Sequence, residues 1–311
     1  MNLTENNQNE ARIHRHALKR VDESWQQRTL DSSESRFIIC QRGKYPVDER
    51  HHIHLLTRAE VDALSARPLD FFFLAEINSS DHHSHVFCAN LDAAEDNDYL
   101  WRTIRHTNDD DELTNLALHA QGLLNWHNVC RYCECCGSEL NTAFDGHSKH
   151  CLNTDCQREV FPRINPAVIA LVTHEDKCLL ANAHRFTGDI PMYSCLAGYM
   201  ETGESFEETL QREVMEEVGV ELLDCNYLGN QPWPFPHSLM IGFHARAKTT
   251  ELTFHDNEIK AARWFSATDL QQALITKEIL LPTKKSIAYH LLDVWLQQTV
   301  SIRLRDLLLD A

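Results

Sequence analysis

Three glutamates in one short stretch, Glu213, Glu216 and Glu217, stand at i, i+3 and i+4. On a helix that spacing puts three carboxylates on one face. Unpaired, they repel and destabilise the helix. Divalent cations relieve the repulsion, and oxygen-only ligands suit Mg²⁺ or Mn²⁺. Arg212 beside them can hold Glu204 of the preceding loop through charge-assisted hydrogen bonds. Without a metal the same glutamates would be no more than a solvated acidic face. A second group is sulfur-based. Cys133 and Cys136 form a Cys-x-x-Cys pair, and Cys151 and Cys156 form a second close pair beyond residues 137–150. Two such pairs can converge on one tetrahedral zinc, with all four positions filled and none open for catalysis. The spacing alone leaves the ligand register open, because Cys130 with Cys133 makes another Cys-x-x-Cys, and Cys135, His147 and His150 are near in sequence.

The glutamates need a helix to hold them, and the sequence supplies one. Ser205 can cap it with Glu208 at the third position, a capping box. Gly219 fits the left-handed stop at the other end. Phe206, Leu210, Val214 and Val218 predict a buried stripe. Around this helix, strands are expected over 167–173, 178–183 and 239–247, with a last helix over 286–298. Gly137 allows the tight turn behind the first cysteine pair. Upstream, β-type runs cover 37–40, 71–77 and 86–91, and helices are expected over 57–65 and 110–128. The first 20 or so residues are polar and read as frayed. The histidine groups His51, His52, His54 and His82, His83, His85 read as solvated loops rather than metal sites.

The 311 residues suggest about two domains, and 43% hydrophobic with 24% charged residues is the balance of a chain that buries a core. A net charge of -17 opposes tight binding of nucleic acid through the bulk field. Eleven cysteines cannot all pair within the chain. With no apolar leader and no run long enough to span a bilayer, a cytoplasmic location without membrane association is expected. The remaining cysteines, Cys40, Cys88, Cys178, Cys195 and Cys225, read as small core residues.

The run Gly198 to Val220 resembles the Nudix box, Gly-x5-Glu-x7-Arg-Glu-U-x-Glu-Glu-x-Gly-U with U aliphatic, with Gly198, Glu204, Arg212 and Gly219 at its fixed positions. The following segment Gln231, Pro232, Trp233, Pro234, Phe235, Pro236, His237, Ser238 is similar to the signature SQPWPFPxS of the NADH pyrophosphatases, a Nudix family also known for removing NAD caps from RNA. Asn230 replaces its leading serine. Such a stiff, extended segment can offer flat rings to a planar base at little entropic cost. The likeness extends over roughly residues 120–300, through Trp126-His127, Phe161-Pro162-Arg163, Arg263-Trp264-Phe265 and Ser286-Ile287-Ala288.

The resemblance implies an α/β Nudix fold, a mixed sheet sandwiched by helices, with a zinc ribbon and an N-terminal α+β domain that is a degenerate, box-less copy of the fold. The boundaries expected are 1–127, 128–162 for the ribbon, 163–300 for the catalytic domain and 301–311 for a C-terminal tail. It implies metal ligation by Glu213, Glu217, Glu258 and the carbonyl of Ala197, with Glu213, Glu216 and Glu217 catalytic. It implies zinc on Cys133, Cys136, Cys151 and Cys156, and Phe161, Tyr199 and Ala288 along the nucleotide pocket. An acidic residue usual in the family is replaced by Ala261. It further implies a homodimer that cleaves NADH or NAD⁺ to nicotinamide mononucleotide and AMP, and RNA with a 5′ NAD cap. Lys284 and Lys285 would form a local basic lip. Two other readings are kept apart from this one. One is a Nudix enzyme for ADP-ribose, a dinucleoside polyphosphate or a nucleotide sugar. The other is a zinc-ribbon binding module on an idle scaffold.

Overall fold

A computed structural model of the chain describes residues 13–309 except 66, 79–82, 93–96, 110 and 255–257. His82, Asp110 and residues 1–12 of the polar start therefore lie outside the described residues. The chain divides into two compact units, one of residues up to 164 with 232–237, the other of 165–231 and 238–311.

In the N-terminal unit, the elements run β1 (Ile13–His14), α1 (Glu23–Leu30), β2 (Ser35–Cys40), β3 (Tyr45–Val47), α2 (Arg58–Leu64), β4 (Phe72–Asn78), β5 (His83–Asn90), β6 (Leu100–Arg102) and α3 (Asp111–Val129). They continue with β7 (Leu140–Ala143), β8 (Ser148–Cys151) and β9 (Glu159–Val160). Four strands form a sheet in the order β1-β4-β5-β2, in which β2 and β5 are parallel. Strand residues alternate between faces. Ile38, Cys40, Leu74 and Val86 meet Leu116, Ala120 and Leu124 of α3 on one face. Phe37, Ile39, Phe73 and Phe87 meet Val61 and Leu64 of α2 on the other. β7, β8 and β9 make a small separate sheet.

The second unit holds β10 (Asn165–His174), β11 (Lys177–Ala183), β12 (Leu196–Tyr199), α4 (Phe206–Val218), β13 (Leu222–Trp233, whose last two residues belong to the N-terminal unit), β14 (Ser238–Ala247) and β15 (Ile259–Ser266), then α5 (Ala267–Ile275), α6 (Ile287–Val300) and α7 (Leu304–Leu309). The sheet order is β13-β14-β10-β11-β15, with β12 also pairing to β10. β10 and β14 are parallel. The sheet is a filling between two helical layers, as the alternation along β10 requires. Val168, Ala170 and Val172 pack with Leu210, Val214 and Val218 of α4. Ile169 and Leu171 pack with Leu291, Leu292 and Trp295 of α6. Each large side chain so buried contributes about 1.5–3 kcal/mol. The segment expected as a tail supplies α7, whose Leu304 and Leu307 are buried in this same core.

Two local expectations meet different outcomes. α4 carries the capping box, with Ser205 accepting from Glu208 N, and ends at Gly219 in the left-handed region with φ 71°. Phe206, however, does not join the buried stripe. It is 37% exposed and lines a surface hollow of about 470 Å³ with Tyr227, Asn230 and Leu239. The same hollow is lined by Ile241 and Phe243 of β14, so Phe206 lies against the sheet but is left partly open to solvent.

Candidate functional site

The glutamate face is assembled by α4 and by β12 in front of it. Glu217 is buried, Glu213 half-buried and Glu216 exposed, so one face grades from protein interior to solvent. Arg212 ties the site together. Its Nε donates to Glu204 Oε1 at 2.6 Å and its Nη2 to Glu204 Oε2 at 2.9 Å, a bidentate pair. The same guanidinium donates from Nη1 to Glu213 Oε1 (2.9 Å) and Glu216 Oε2 (3.1 Å), and from Nη2 to the Tyr199 carbonyl (2.9 Å). The loop, the helix and the end of β12 are thus fixed against one cation.

Gly198 is required by close approach. A Cβ there would lie 1.8 Å from Glu213 Cδ, so only glycine lets the carboxylate lie over β12. Ala197 stands beside it on the same strand, paired with Ile169 of β10. Glu258 is exposed, and its carbonyl accepts from His184 N at 2.8 Å.

Charge follows from this packing. Hydrogen bonds from Arg212 hold the Glu204 carboxyl down at about 2. Glu213 is pushed above the usual range, first by loss of solvent and further by the charges of Glu216 and Glu258, although Arg212 opposes this. A carboxylate cluster raised by its own neighbours is relieved by added positive charge. The donor set therefore fits a hard divalent cation.

The four thiols expected as a metal set converge. One ligand atom from each of Cys133, Cys136, Cys151 and Cys156 lies within 4.8 Å of the others. Cys133 Sγ is 3.8 Å from Cys156 Sγ, and Cys136 Sγ is 3.4 Å from Cys151 Sγ. Sulfurs at about 2.3 Å from one tetrahedral ion are roughly 3.8 Å apart. Two turns present the pairs: Gly137 N donates to the Cys133 carbonyl at 2.8 Å with φ 74° at the glycine, and Cys156 N donates to the Asn153 carbonyl at 3.0 Å. Hydrogen bonds from Ser138 bring the Cys136 thiol down to about 6. The other candidates have different partners. His147 faces His119 with Nε2 atoms 3.3 Å apart, and His150 faces Glu159. All eleven cysteines are free of disulfides, and Cys40, Cys88, Cys178 and Cys195 are buried core residues.

The proline-aromatic segment is divided between the units. Gln231 is buried in the second unit, where its Nε2 donates to the Lys285 carbonyl and its Oε1 accepts from Ile287 N, which positions the start of α6. Ala288 on that turn is also buried, among core residues rather than on a surface. Tyr199 is exposed, with its hydroxyl 2.8 Å from Ser238 Oγ. Phe161 and residues 232–237 belong to the N-terminal unit. There Trp233 and Phe235 meet edge to face, and the Arg105 guanidinium lies over both rings at 5.3 and 4.7 Å. Asn125 of α3 donates to the Pro234 and Pro236 carbonyls. Pro232 and Pro236 are exposed, and His237 is half-buried. Arg105 and Asn125 escaped the sequence reading because neither belongs to a local pattern.

A NUDIX domain model matches residues 163–284. The chain is similar to the NAD-capped RNA hydrolase NudC of Pseudomonas putida (strain W619), at 39% identity over 197 residues, 63% of this chain and 67% of the relative. It is 42% identical over 171 residues to the NAD-capped RNA hydrolase NudC of Pseudomonas aeruginosa (strain LESB58), 55% of this chain and 57% of the relative. Nudix hydrolase 19, chloroplastic, of Arabidopsis thaliana is 41% identical over 176 residues, 54% of this chain and 39% of that protein. The chain belongs to the Nudix hydrolase family. Its match spans little more than half the length of the P. aeruginosa relative.

Proposed function

We propose that the chain hydrolyses the pyrophosphate bond of NADH or NAD⁺, giving nicotinamide mononucleotide and AMP, and removes NAD caps from RNA 5′ ends. The observation that carries this reading is the acidic face of α4 locked by Arg212. The names of its relatives, NAD-capped RNA hydrolases, support the substrate class.

Glu213, Glu217, Glu258 and the Ala197 carbonyl would hold Mg²⁺ or Mn²⁺, with Glu213, Glu216 and Glu217 the catalytic set. Such an ion would neutralise the non-bridging phosphate oxygens and lower the pKa of the attacking water. The chain's own residues do the rest. Arg212 neutralises Glu204 and fixes the rotamers of Glu213 and Glu216, so the carboxylates are in place before substrate arrives. A carboxylate of the Glu213, Glu216 and Glu217 set would accept the proton of the attacking water, the three titrating as a group. Gly198 keeps the approach to Glu213 open.

Phe161, Tyr199 and the segment from Gln231 to Ser238 are assigned to substrate, with Trp233 and Phe235 as stacking rings. Gln231 and Ala288 act from below, by setting the start of α6. Zinc on the four cysteines would be structural, in a ribbon over 128–162. Residues 163–300 carry catalysis, and the segment 301–311 supplies α7, whose Leu304 and Leu307 pack in the same core. Residues 1–127 are a degenerate copy, a reading supported by their own sheet between helices with one parallel pair. A homodimer in the cytoplasm completes the proposal. None of the described helices is long and apolar enough to cross a membrane.

A substrate panel tests the reading. NADH, NAD⁺, ADP-ribose and NAD-capped RNA are compared by kcat/KM with Mg²⁺ or Mn²⁺, at two salt concentrations. NADH and capped RNA should lead, and Trp233→Ala and Phe235→Ala should hurt them selectively. A preference for ADP-ribose, or equal losses on all substrates, would overturn the substrate assignment. Salt should have little effect on capped RNA, because the chain's excess negative charge leaves recognition to the first nucleotide.

A further inference from the structure

We propose that Glu34, His83 and His85 form a second transition-metal site, on the sheet of the N-terminal unit and separate from both the glutamate face and the thiol cluster. The histidines expected in a solvated loop are in fact on strand β5, two residues apart, and so share one face of the sheet. Glu34 precedes β2, the edge strand next to β5, and its carbonyl accepts from His85 N. One ligand atom from each of the three residues lies within 4.8 Å of the other two.

Three details favour an ion over a plain network of charges. First, His83 Nε2 is 3.5 Å from Glu34 Oε2, long for a hydrogen bond. Two ligand atoms about 2.1 Å from one tetrahedral ion are roughly 3.4 Å apart, so the spacing is that of a shared cation. Second, His83 Nδ1 lies 2.6 Å from Asn78 Oδ1, which can only accept. The proton therefore sits on Nδ1 and leaves the Nε2 lone pair facing Glu34, the orientation that a supporting hydrogen bond gives a metal-bound imidazole. Third, His85 Nδ1 is buried and has no hydrogen-bond partner among the described residues. A buried ring nitrogen without a partner is costly unless something fills its place. Glu76, opposite His85 on β4, lies outside the set: its carboxylate is 3.7 Å from His85 Nε2 and is engaged by His16 at 2.8 Å and Asn78 at 2.7 Å.

Two imidazoles and a carboxylate suit Zn²⁺ or a similar borderline divalent ion, not Mg²⁺. The ion would clip the start of edge strand β2 to β5, leaving a fourth position to water.

The test uses the full chain with its thiol cluster already filled with zinc and Mg²⁺ in excess. Zn²⁺ is titrated calorimetrically and bound metal is counted after dialysis. The wild type should take up a further equivalent that His83→Ala and Glu34→Gln lose. Asn78→Ala, which keeps all three ligands, should weaken that step by about 10–100-fold. With Co²⁺ in place of Zn²⁺ the additional site should show no thiolate charge-transfer band. His83 is exposed, so His83→Ala should unfold at the wild-type midpoint when metal is withheld. If wild type and His83→Ala bind the same amount of Zn²⁺, or if Asn78→Ala binds as the wild type does, the site does not exist.

Discussion

Gly198→Ala separates the placement of Glu213 from the stability of the fold. The added Cβ would meet Glu213 Cδ at 1.8 Å, Oε2 at 2.0 Å and Oε1 at 2.2 Å. Restoring an ordinary contact of 3.4 Å moves that carboxyl carbon by about 1.6 Å. The backbone is no obstacle, since Gly198 is absent from the positive-φ glycines. What must yield is the end of a flexible side chain, so the unfolding cost should stay near the low end of the roughly 1–3 kcal/mol typical of overpacking. Glu213 cannot move without stretching its 2.9 Å bond to Arg212. A misplacement of about 1 Å in a positioned catalytic group can cost 10²-fold, so kcat for NADH should fall by about 10²-fold or more. KM should change far less, because the stacking residues are untouched. The assay pairs steady-state NADH hydrolysis with urea unfolding of the same preparation. A variant with wild-type kcat would refute the claim that this carboxylate must lie against β12. A variant that loses activity only because it unfolds would refute the cheap-displacement argument.

Other outcomes follow from the same packing. Ser205→Ala removes the cap of α4 and should cost about 1 kcal/mol in urea unfolding, with kcat/KM barely moving because the glutamate face survives. Stripping metal from the thiol cluster with a chelator, or Cys151→Ser, should lower the melting temperature, since four converging thiolates lose the ion that gathers them; an unchanged melt would argue against a structural zinc. Burial holds His127 and His147 at about 4, below the ordinary 6.5. The unfolded chain then takes up protons that the folded chain refuses, so stability is full above pH 6.5 and is lost as pH falls toward 4. Asp145, raised by burial to about 6, works in the opposite sense between about 6 and 3.8, one group against two. Urea midpoints at pH 7 and pH 5 should therefore differ, with pH 5 the weaker, and equal midpoints would contradict the assignment.

What the sequence reveals is what depends on neighbours along the chain. The capping box of Ser205 and Glu208, the stop at Gly219 and the pairing of Arg212 with Glu204 all follow from spacing on one helix, and the structure has them. The thiol pairs converge because each lies on its own short turn. What escapes depends on distant contacts or on where a helix stops. Phe206 fits the stripe by periodicity, yet it lies in the first turn, where the hollow over β13 and β14 leaves it open to solvent. Arg105 reaches Trp233 and Phe235 only through the fold. Glu34 meets His83 because β2 and β5 pair in parallel, a partnership no local pattern encodes. The apolar positions Leu304 and Leu307 are three apart, a spacing consistent with a helix, but a run this short is weak without its packing partners.

On the proposed reading, the acidic face of α4 performs pyrophosphate hydrolysis. The most direct measurement is product analysis of NADH incubated with Mg²⁺ or Mn²⁺ and either the wild type or Glu217→Gln, whose side chain is nearly isosteric and buried. Nicotinamide mononucleotide and AMP are expected from the wild type. A loss of about 10²–10⁴-fold in kcat is expected for the variant, which removes one carboxylate of the set that takes the proton, with the unfolding midpoint preserved. Intact NADH in both reactions, or equal turnover by the two proteins, would contradict this reading.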